Sequence, residues 1–401
     1  MTKKSDAPAI RFKGFSDAWE QRKFEEIAVR SSVICSDDTL PRVEYEDIVS
    51  GTGRLNKDIY AKQSSKSGIA FHQGDVLYGK LRPYLQNWLL PTFDGLAVGD
   101  FWVLQPQNAD SSFLYRLIQS RQFDEVANQS TGTKMPRADW KLVSKTVFSI
   151  PSNISEQAAI GTYFTALDSL ITLHQRKFEK LTNVKKSMLE KMFPQNGSSY
   201  PEIRFKGFTD PWEQRKLGDV GETYTGLSGK TKADFGHGQA RFITYMNVFS
   251  NPISNPEMTE PIEIDPKQNE VEVGDVFFTT SSETPEEVGM SSVLLEKRGK
   301  IYLNSFCFGF RPTEKIDSYY LAYMLRSESA REKIILLAQG ISRYNISKNK
   351  VMEIAVSLPS LDEQKLIGQY FRQLDNLITL HQRELEKLQN IKKSMLEKMF
   401  V

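Results

Sequence analysis

The sequence predicts an α+β fold: two mixed α/β domains joined by two long helices that form an antiparallel coiled coil, with pseudo-twofold symmetry. The prediction rests first on two repeated segments. An opening motif at 10–23 returns at 203–216 with 12 of 14 positions identical, and a longer segment at 156–193 returns at 363–400 with 28 of 38 identical. Internal repetition of this kind indicates a duplicated unit.

The third observation is that the segments between the repeats differ. Module one (24–155) and module two (217–362) share little sequence. A period of roughly 200 residues does not fit a solenoid, whose repeats are several times shorter. Duplicated ends with divergent middles therefore predict a common scaffold that carries two different specificities.

The repeated 38-residue segment predicts a long helix in each copy. Apolar residues recur at spacings of three and four, as in a coiled-coil heptad, and the helix would be about 57 Å long. Capping boxes are predicted at Asn153 with Glu156 and at Ser360 with Glu363, and Pro194 ends the first helix. The predicted helix–helix positions are Ile160, Phe164, Leu167, Ile171, His174, Phe178, Leu181, Met188, Ile367, Phe371, Leu374, Ile378, His381, Leu385, Leu388 and Met395.

We predict that the two helices pack against each other, because each alone would leave an apolar stripe in water. In a fully overlapped antiparallel pair, His174 and His381 would lie near the pseudo-dyad, where a polar heptad residue commonly sets the register. A metal or pH-sensing role is the alternative for these histidines, although two ligands make a poor metal site. The alternative for the helices is that each packs only on its own module.

These segments predict the organisation of the chain. The variable domains end where the helical pattern begins, and a short linker rich in Pro, Gly and Ser follows the first helix. The predicted boundaries are a first domain at 1–152, a helix at 153–193, a linker at 194–202, a second domain at 203–359 and a helix at 360–401.

Composition narrows the class of protein. A net charge of +2 over 401 residues lacks the strongly basic balance of a protein that binds nucleic acid by itself. Two widely separated cysteines, Cys35 and Cys307, exclude a disulfide framework and a cysteine-rich zinc site. The first residues show no signal-peptide core, and no segment reaches 18 uninterrupted apolar residues. We therefore expect a soluble, cytoplasmic protein.

The two modules predict the same order of elements, which indicates one fold with different loops. A Gly-Asp-Val turn begins an apolar strand in each, and a second apolar strand follows. The predicted elements are strands at 74–78 and 274–278, strands at 101–106 and 306–312, helices at 112–120 and 318–327, polar loops at 129–140 and 339–350, and final strands that end at Pro151 and Pro359.

Candidate binding residues lie in the loops of both modules. Arg and Lys read guanine edges or hold phosphates, Asn reads adenine, and Ser and Thr anchor phosphates. Solvated polar loops are the alternative, and Tyr84, Trp88 and Trp140 could be core residues instead. The DNA-binding candidates are Lys80, Arg82, Tyr84, Asn87, Thr133, Lys134 and Arg137 in module one, and Thr279, Thr280, Ser281, Ser282, Arg343, Tyr344, Asn345 and Lys348 in module two.

Motifs that carry catalysis are missing from the sequence. It contains no phosphate loop, no dinucleotide fingerprint, no His-Glu-x-x-His or Cys-x-x-Cys pair and no nucleophile elbow. The four histidines leave little for acid–base or metal chemistry. We predict that the chain alone catalyses nothing and binds no metal or cofactor.

Taken together, these features resemble the specificity (S) subunits of type I restriction–modification systems. The resemblance is carried by the IRFKGF-x-D-x-W-E-Q-R-K openings at 10–23 and 203–216 and by the Pro-Ser helix entries at Pro151 and Pro359. The Gly-Asp-Val strands, the KLRPY stretch at 80–84 and the repeated helices add to it. It covers essentially the whole chain, and the order and duplication of the motifs are specific.

The resemblance implies a non-catalytic subunit with two target recognition domains, each of which reads one half of an interrupted site in double-stranded DNA. It further implies assembly with two adenine-methyltransferase (M) subunits and two restriction/translocase (R) subunits, and no membrane. S-adenosylmethionine, ATP and Mg²⁺ would bind to those partners. The family indicates where the recognition loops lie, and it leaves the roles of single residues open.

Under this interpretation the helices set the spacer between the half-sites and dock the methyltransferase subunits. A helical turn inserted near Asn183 would lengthen the spacer by about one or two base pairs. The main alternative is a non-enzymatic coiled-coil scaffold whose two modules bind proteins. A self-sufficient nuclease or methyltransferase is a further alternative, and the missing motifs argue against it.

Overall fold

The chain folds into two compact units, one formed by Met1–Gln175 with Gln382–Val401 and the other by Arg176–His381. The first unit contains module one, and the second contains module two. Each unit also contains part of both repeated helices. The computed structural model describes residues 8–61, 64–129, 135–195 and 197–400.

In the first unit, short strands build two sheets and helices cover one of them. The elements are β1 (Glu20–Lys23), α1 (Phe24–Ile27), β2 (Ala28–Ser31), β3 (Ile34–Cys35), β4 (Arg42–Val43), β5 (Ile48–Val49), β6 (Arg54–Leu55), β7 (Gly68–Phe71), β8 (Val76–Gly79), β9 (Trp88–Leu89), β10 (Gly95–Ala97), β11 (Phe101–Pro106), α2 (Ser111–Leu117), α3 (Arg121–Ala127), α4 (Trp140–Lys145), β12 (Val147–Ile150) and α5 (Ile154–Lys191).

The central sheet of the first unit has the order β2-β11-β8-β9, and a second sheet has the order β3-β7-β10-β4. Alternate residues of β8 face opposite sides. Leu77 packs between the two sheets, whereas Val76 and Tyr78 pack toward the helices. Burial of both faces explains why β8 and β11 are continuous apolar runs and not alternating ones. Strand β1 pairs antiparallel with β12 in a separate ribbon.

Module two repeats this plan in the second unit. Its elements, with the last helix of the chain, are β13 (Glu213–Lys216), β14 (Gly221–Thr225), β15 (Phe235–Ile243), α6 (Tyr245–Ser250), β16 (Thr259–Ile262), β17 (Val276–Thr279), β18 (Ser281–Ser282), β19 (Ser291–Val293), β20 (Ile301–Leu303), β21 (Cys307–Pro312), α7 (Ser318–Met324), α8 (Glu328–Ile335), β22 (Tyr344–Asn345), α9 (Lys348–Met352), β23 (Ala355–Leu358) and α10 (Leu361–Met399).

The sheet order β14-β21-β17-β19 corresponds to the central sheet of the first unit. Strand β15 runs parallel to β20, as β4 does to β10. Val276 and Phe278 face the helices, and Phe277 faces the second sheet. The two modules therefore share one fold, as predicted from their matching Gly-Asp-Val turns.

The structure confirms the predicted strands and changes the predicted helices. Helices α2 and α7 end before Ser120 and Ser327, because each of these serines caps a further helix, α3 or α8, with its hydroxyl. The predicted ends at those serines are therefore wrong. The predicted loop at 339–350 contains β22 and the start of α9, and Trp140 begins α4. These helices are too short to show a clear apolar period.

The long helices begin without the predicted reciprocal capping boxes. Asn153 Oδ1 accepts a hydrogen bond from the Ser155 amide, at 2.8 Å, and Ser360 Oγ accepts one from the Glu363 amide, at 3.4 Å. The second half of each box is replaced, because the Glu156 and Glu363 carboxylates bind arginine side chains of the opening motifs. The two glutamates therefore form tertiary contacts with arginines and do not cap their own helices.

Each opening motif is fastened to the start of its helix by a bidentate ion pair. Arg11 binds Glu156 at 2.6 and 2.7 Å in the first unit, and Arg204 binds Glu363 at 2.7 and 2.8 Å in the second. Both carboxylates have only 1% of their side-chain surface exposed. In the first unit, Trp19 Nε1 also donates to Glu156 at 3.4 Å. The repeated Arg and Glu thus form equivalent buried pairs, which explains why both motifs are duplicated.

The next residue of each helix, Gln157 or Gln364, holds the module against the helix. Gln157 Oε1 accepts a hydrogen bond from the Asp110 amide, and its Nε2 donates to the Pro151 carbonyl. Gln364 does the same with Asp317 and Pro359. The Glu-Gln dipeptide is therefore a module-docking element in both units.

A glycine one turn further along each helix allows this close approach. A Cβ atom on Gly161 would lie 1.8 Å from Ser112 Oγ, and one on Gly368 would lie 2.7 Å from Asp317 Oδ1. Any side chain there would push the long helix away from the short helix α2 or α7. The shared Ile-Gly pair is thus a packing requirement.

Segments of the two long helices run antiparallel within each unit. In the first unit, Phe164 lies near Phe400 (ring centroids 6.4 Å apart) and Asp168 binds Lys392 at 2.7 Å. As the residue number rises along one segment, it falls along the other. In the second unit, Phe193 stacks on Phe371 at 5.9 Å and Lys185 binds Asp375 at 2.5 Å, again in antiparallel order.

Candidate nucleic-acid interface

In module one, two of the predicted loops lie side by side. Leu81 and Arg137 form an isolated antiparallel bridge. The Arg82 amide donates to the Pro136 carbonyl at 2.7 Å, and the Ala138 amide donates to the Lys80 carbonyl at 2.8 Å. The fold thus joins residues that are more than 50 positions apart in sequence into one edge, which carries Lys80, Arg82, Tyr84 and Arg137.

Asp100 supplies the counter-ion for two cations at this edge. Arg137 Nη2 lies 2.9 Å from Asp100 Oδ2, and Lys80 Nζ lies 3.5 Å from Oδ1. Tyr45 braces the same point, because its hydroxyl donates to the Asp100 carbonyl and accepts from the Leu81 amide. Burial raises the pKa of Tyr45, so its hydroxyl stays protonated. Arg137 keeps 58% of its side-chain surface exposed, so it can still reach a ligand.

Arg82 and Tyr84 sit on a tightly folded turn at the same edge. Arg82 adopts a left-handed backbone conformation with φ of 49°, which is uncommon for a residue with a side chain. Its Nε is buried and has no hydrogen-bond partner among the described residues. Tyr84 is 56% exposed on the 3₁₀ turn Pro83–Leu85. A strained turn that presents a cation and an aromatic ring is typical of a binding loop.

Other residues considered in module one are buried or pack against the core. Asn87 is 6% exposed and accepts a hydrogen bond from Ser50 Oγ, so its side chain cannot contact DNA directly in this conformation. Trp88 is buried in the core, and Trp140 packs edge-on against Trp102 with the Arg30 guanidinium over its ring. Trp88 is therefore a core residue, whereas Trp140 is half-buried against that core. Thr133 and Lys134 lie outside the described residues.

In module two, the corresponding loops are joined by a two-stranded ribbon. Strand β18 pairs with β22, which aligns Ser281 with Asn345 and Ser282 with Tyr344. The Ile346 amide donates to the Thr280 carbonyl at 2.9 Å. Module two thus brings together the same two segments that meet at Leu81 and Arg137 in module one.

Burial separates the module-two candidates into two groups. Thr279 is fully buried and accepts a hydrogen bond from the Met290 amide, so a direct DNA contact by its side chain is excluded in this conformation. Ser281 and Ser282 are nearly buried, at 6% and 7% exposure, and Ser282 Oγ donates to Glu287. Arg343 and Asn345 are exposed, whereas Thr280, Tyr344 and Lys348 are half-buried.

The two edges differ in charge and polarity. Module one presents two cations, Lys80 and Arg137, around the Asp100 carboxylate, and Arg82 lies on the adjacent turn. In module two, neither Arg343 nor Lys348 forms an ion pair within the part of the chain that the structure describes. Large apolar side chains are also exposed near the module-two edge, among them Phe306 at 57% and Ile341 at 95%. The two modules therefore offer one scaffold with two chemically different surfaces.

Comparison with known proteins shows what this chain is similar to. A family model described as the type I restriction modification DNA specificity domain matches residues 209–390. The type I restriction enzyme MjaVIII specificity subunit of Methanocaldococcus jannaschii is 24% identical over 355 residues, which are 78% of this chain and 77% of that protein. The chain is similar to the type I restriction–modification specificity subunits.

Further relatives of this chain are described in the same way. The EcoDI specificity subunit of Escherichia coli is 25% identical over 185 residues, 44% of this chain and 41% of that protein. Among solved structures, the type I restriction–modification S subunit from M. genitalium matches with a TM-score of 0.56 and 15% identity, over 98% of this chain and 99% of that one. A chain from a type I R-M system matches with a TM-score of 0.53 and 18% identity, over 94% and 96%. The structural matches show a shared α+β fold.

Two further properties of the described residues concern membranes and metals. No helix in the described ranges is long and apolar enough to cross a bilayer. Within the same ranges, His, Cys, Asp and Glu nowhere gather in a group of three or more that could hold a metal ion.

Several residues that build the two candidate edges carry no signal in the sequence. Asp100 and Tyr45 organise the module-one edge, and Tyr245 donates to the Ser281 carbonyl at 2.7 Å in module two. Asp100 follows Gly99 immediately before β11, so the sequence alone indicates a turn at this position. The sequence does not indicate that Asp100 pairs with Lys80 and Arg137, because this pairing depends on the order of the strands in the sheet.

Proposed function

We propose that this chain is the DNA sequence-specificity subunit of a type I restriction–modification complex and that each module reads one half of a bipartite, interrupted site in double-stranded DNA. The observation that carries the proposal is the duplication. In both modules, the same two distant segments meet at one edge, and the residues there differ. Two edges with the same build and different chemistry suit a site with two unlike halves.

The helices are proposed to form an antiparallel coiled coil that sets the distance between the modules. Reciprocal ion pairs support this proposal. Lys392 binds Asp168 in one unit, and Lys185 binds Asp375 in the other, and both pairs use equivalent positions of the two repeats. A polar pair at a heptad position favours one register and orientation over its alternatives. Pseudo-twofold symmetry would follow from the same exchange.

The helices are also proposed to dock two adenine-methyltransferase subunits, with two restriction/translocase subunits completing the complex. Equivalent leucines support a docking face. Leu170 and Leu173 in the first unit, and Leu377 and Leu380 in the second, are 44–51% exposed. Solvent-facing leucines that recur on both copies of a duplicated helix suit a repeated partner contact. The methyltransferase subunits are the proposed occupants, because the near-neutral chain needs a partner to help enclose DNA.

In this proposal the chain is non-catalytic, and its partners bind S-adenosylmethionine, ATP and Mg²⁺. The decisive experiment maps N6-methyladenine in a genome with and without this chain, with the methyltransferase subunit present in both. We expect methylation at one interrupted motif only when the chain is present. A complex of chain and methyltransferase subunit should also shift that DNA with strong salt dependence, because phosphate contacts release counter-ions. A protein-binding scaffold would show neither result.

Exchange of module one should change one half-site only. We would replace residues 24–150 with the equivalent segment of a related specificity subunit and map methylation again. Because each edge is built within its own module, the half of the motif read by module two should stay the same. The matched control exchanges the equivalent segment of module two. Changes in both halves after either single exchange would contradict modular reading.

A further inference from the structure

The most exposed large apolar side chain in the described ranges belongs to a small hairpin at the module-two edge. Ile341 is 95% exposed. It lies in the turn between Gln339 and Asn345, which form an antiparallel bridge with amide-to-carbonyl distances of 2.9 and 2.8 Å. A ligand that covers this isoleucine would gain the hydrophobic free energy of its burial.

The hairpin that carries Ile341 is held firmly on module two. The Ile346 amide donates to Thr280, and the Ile346 side chain is buried. Strand β22, which forms one side of the hairpin, pairs with β18 through Ser281 with Asn345 and Ser282 with Tyr344. The second strand of the hairpin is therefore fixed to β18 by backbone hydrogen bonds, and the first strand is fixed to the second by the bridge between Gln339 and Asn345.

Gly340 gives the hairpin its shape. Its φ of 146° lies in the region that favours glycine, and a Cβ atom there would lie 2.0 Å from the Arg343 carbonyl oxygen. The turn therefore requires glycine next to Ile341. A defined turn limits the directions in which the isoleucine can point, which suits recognition of a small group.

The surroundings of Ile341 favour a nucleic acid as the ligand. Arg343 and Lys348 carry positive charge close by in sequence and form no ion pair with any residue that the structure describes. Asn345, with an exposed side chain, is the residue type that pairs with adenine N6 and N7. An aliphatic side chain beside cations and an amide matches a DNA major-groove edge, where the thymine 5-methyl group is the apolar feature.

We propose that Ile341 contacts the 5-methyl group of a thymine, so that the half-site read by module two contains a thymine at a defined position. This inference rests on the proposed function, because it assumes that module two reads DNA. It goes further by assigning one apolar contact and one base feature. Arg343 would hold a neighbouring phosphate, and the hairpin would lie in the major groove.

The test replaces thymine by deoxyuridine, which lacks only the methyl group. The full chain is assembled with methyltransferase subunits, and the target is taken from its methylation map. The half-site of module two is the one that remains after exchange of residues 24–150. Each thymine of that half-site is then replaced in turn. At one position we expect affinity to fall about fourfold, the factor that corresponds to burial of one methyl group.

Variants connect this loss to Ile341. Ile341→Ala should weaken binding to the thymine duplex and remove the difference between thymine and deoxyuridine. The matched control is Val273→Ala, an aliphatic residue of module two that is 60% exposed and precedes β17, at the end of that strand away from the hairpin. It should keep the wild-type difference. Gly340→Ala should also lose the difference, because it distorts the hairpin.

Several outcomes would overturn the inference. A module-two half-site without thymine would exclude it, and so would an Ile341→Ala variant that still prefers thymine over deoxyuridine. Equal weakening on both duplexes would show that Ile341 acts through another contact, such as a wedge between base pairs. If the wild-type complex binds no specific DNA at all, the proposed function itself fails. Specific binding without any effect of deoxyuridine rejects only the role of Ile341.

Discussion

Replacement of Arg11 by methionine is expected to lower the free energy of unfolding of the first unit by about 3 kcal/mol, because it removes one partner of a buried ion pair. Glu156 is 1% exposed, and its two oxygens bind the Arg11 guanidinium. Without Arg11, the one side-chain contact that the carboxylate keeps among the described residues is the long hydrogen bond from Trp19. Methionine preserves most of the apolar stem, so the loss reports on the charge and its hydrogen bonds.

Urea unfolding of the variant, followed by hydrogen exchange of individual peptides, would measure this loss. Peptides from the start of α5 should exchange faster, whereas those from the start of α10, held by Arg204 and Glu363, should not change. Arg22→Met is the control, because Arg22 pairs with Glu20 in an exposed position and should have little effect. The double variant Arg11→Met/Glu156→Gln should recover much of the stability. Unchanged exchange in Arg11→Met would show that the pair contributes little.

Insertion of four residues into both long helices is expected to abolish binding to the original DNA site. Four residues add about 6 Å of helix, which corresponds to about one or two base pairs. Placed after Gln175 and after His381, the insertions fall between the two units and leave the contacts within each unit intact. Affinity for the original spacing should fall about 10³-fold or more, toward the non-specific level.

Methylation mapping of this insertion variant would show the new motif directly. The two half-sites should be unchanged, and the spacer should be longer by one or two base pairs. A four-residue insertion after Gly197, in the linker between the first helix and the second opening motif, is the matched control and should keep the original spacer. If the helix variant still methylates the original motif with its original spacing, the helices do not set the spacer.

The sequence was most informative where the two copies agree. The repeats predicted both long helices, and the Gly-Asp-Val turns predicted β8 and β17 correctly. A pattern that occurs in both copies is more informative than one that occurs once, because a residue identical in both copies has the same structural role in both units. The role of Glu156 was still misread. Its spacing from Asn153 matches a capping box. Only the fold shows that Arg11, 145 positions away, binds its carboxylate.

The sequence singled out segments that meet at one edge in each module, but it could not rank their residues. Lys80 and Arg137 lie at one edge because Leu81 pairs with Arg137, and this pairing depends on tertiary structure. Thr279 and Arg343 were equal candidates by composition, yet one is fully buried and the other exposed. Ile341 was passed over because an isolated isoleucine in a polar loop carries no periodic signal. Exposure on a fixed turn is visible only in three dimensions.

The ends of the long helices have a consequence for connectivity. The Ile203 amide donates to the Lys191 carbonyl at 2.9 Å, and the Ile10 amide donates to the Lys398 carbonyl at 3.1 Å. Residue 10 thus sits at the end of the second helix just as residue 203 sits at the end of the first. A circularly permuted chain, joined from 400 to 8 by a copy of the 194–202 linker and opened within the original one, keeps every contact described above. The order in which the two modules are written along the chain is therefore arbitrary, and reversing it should leave the recognised DNA site unchanged.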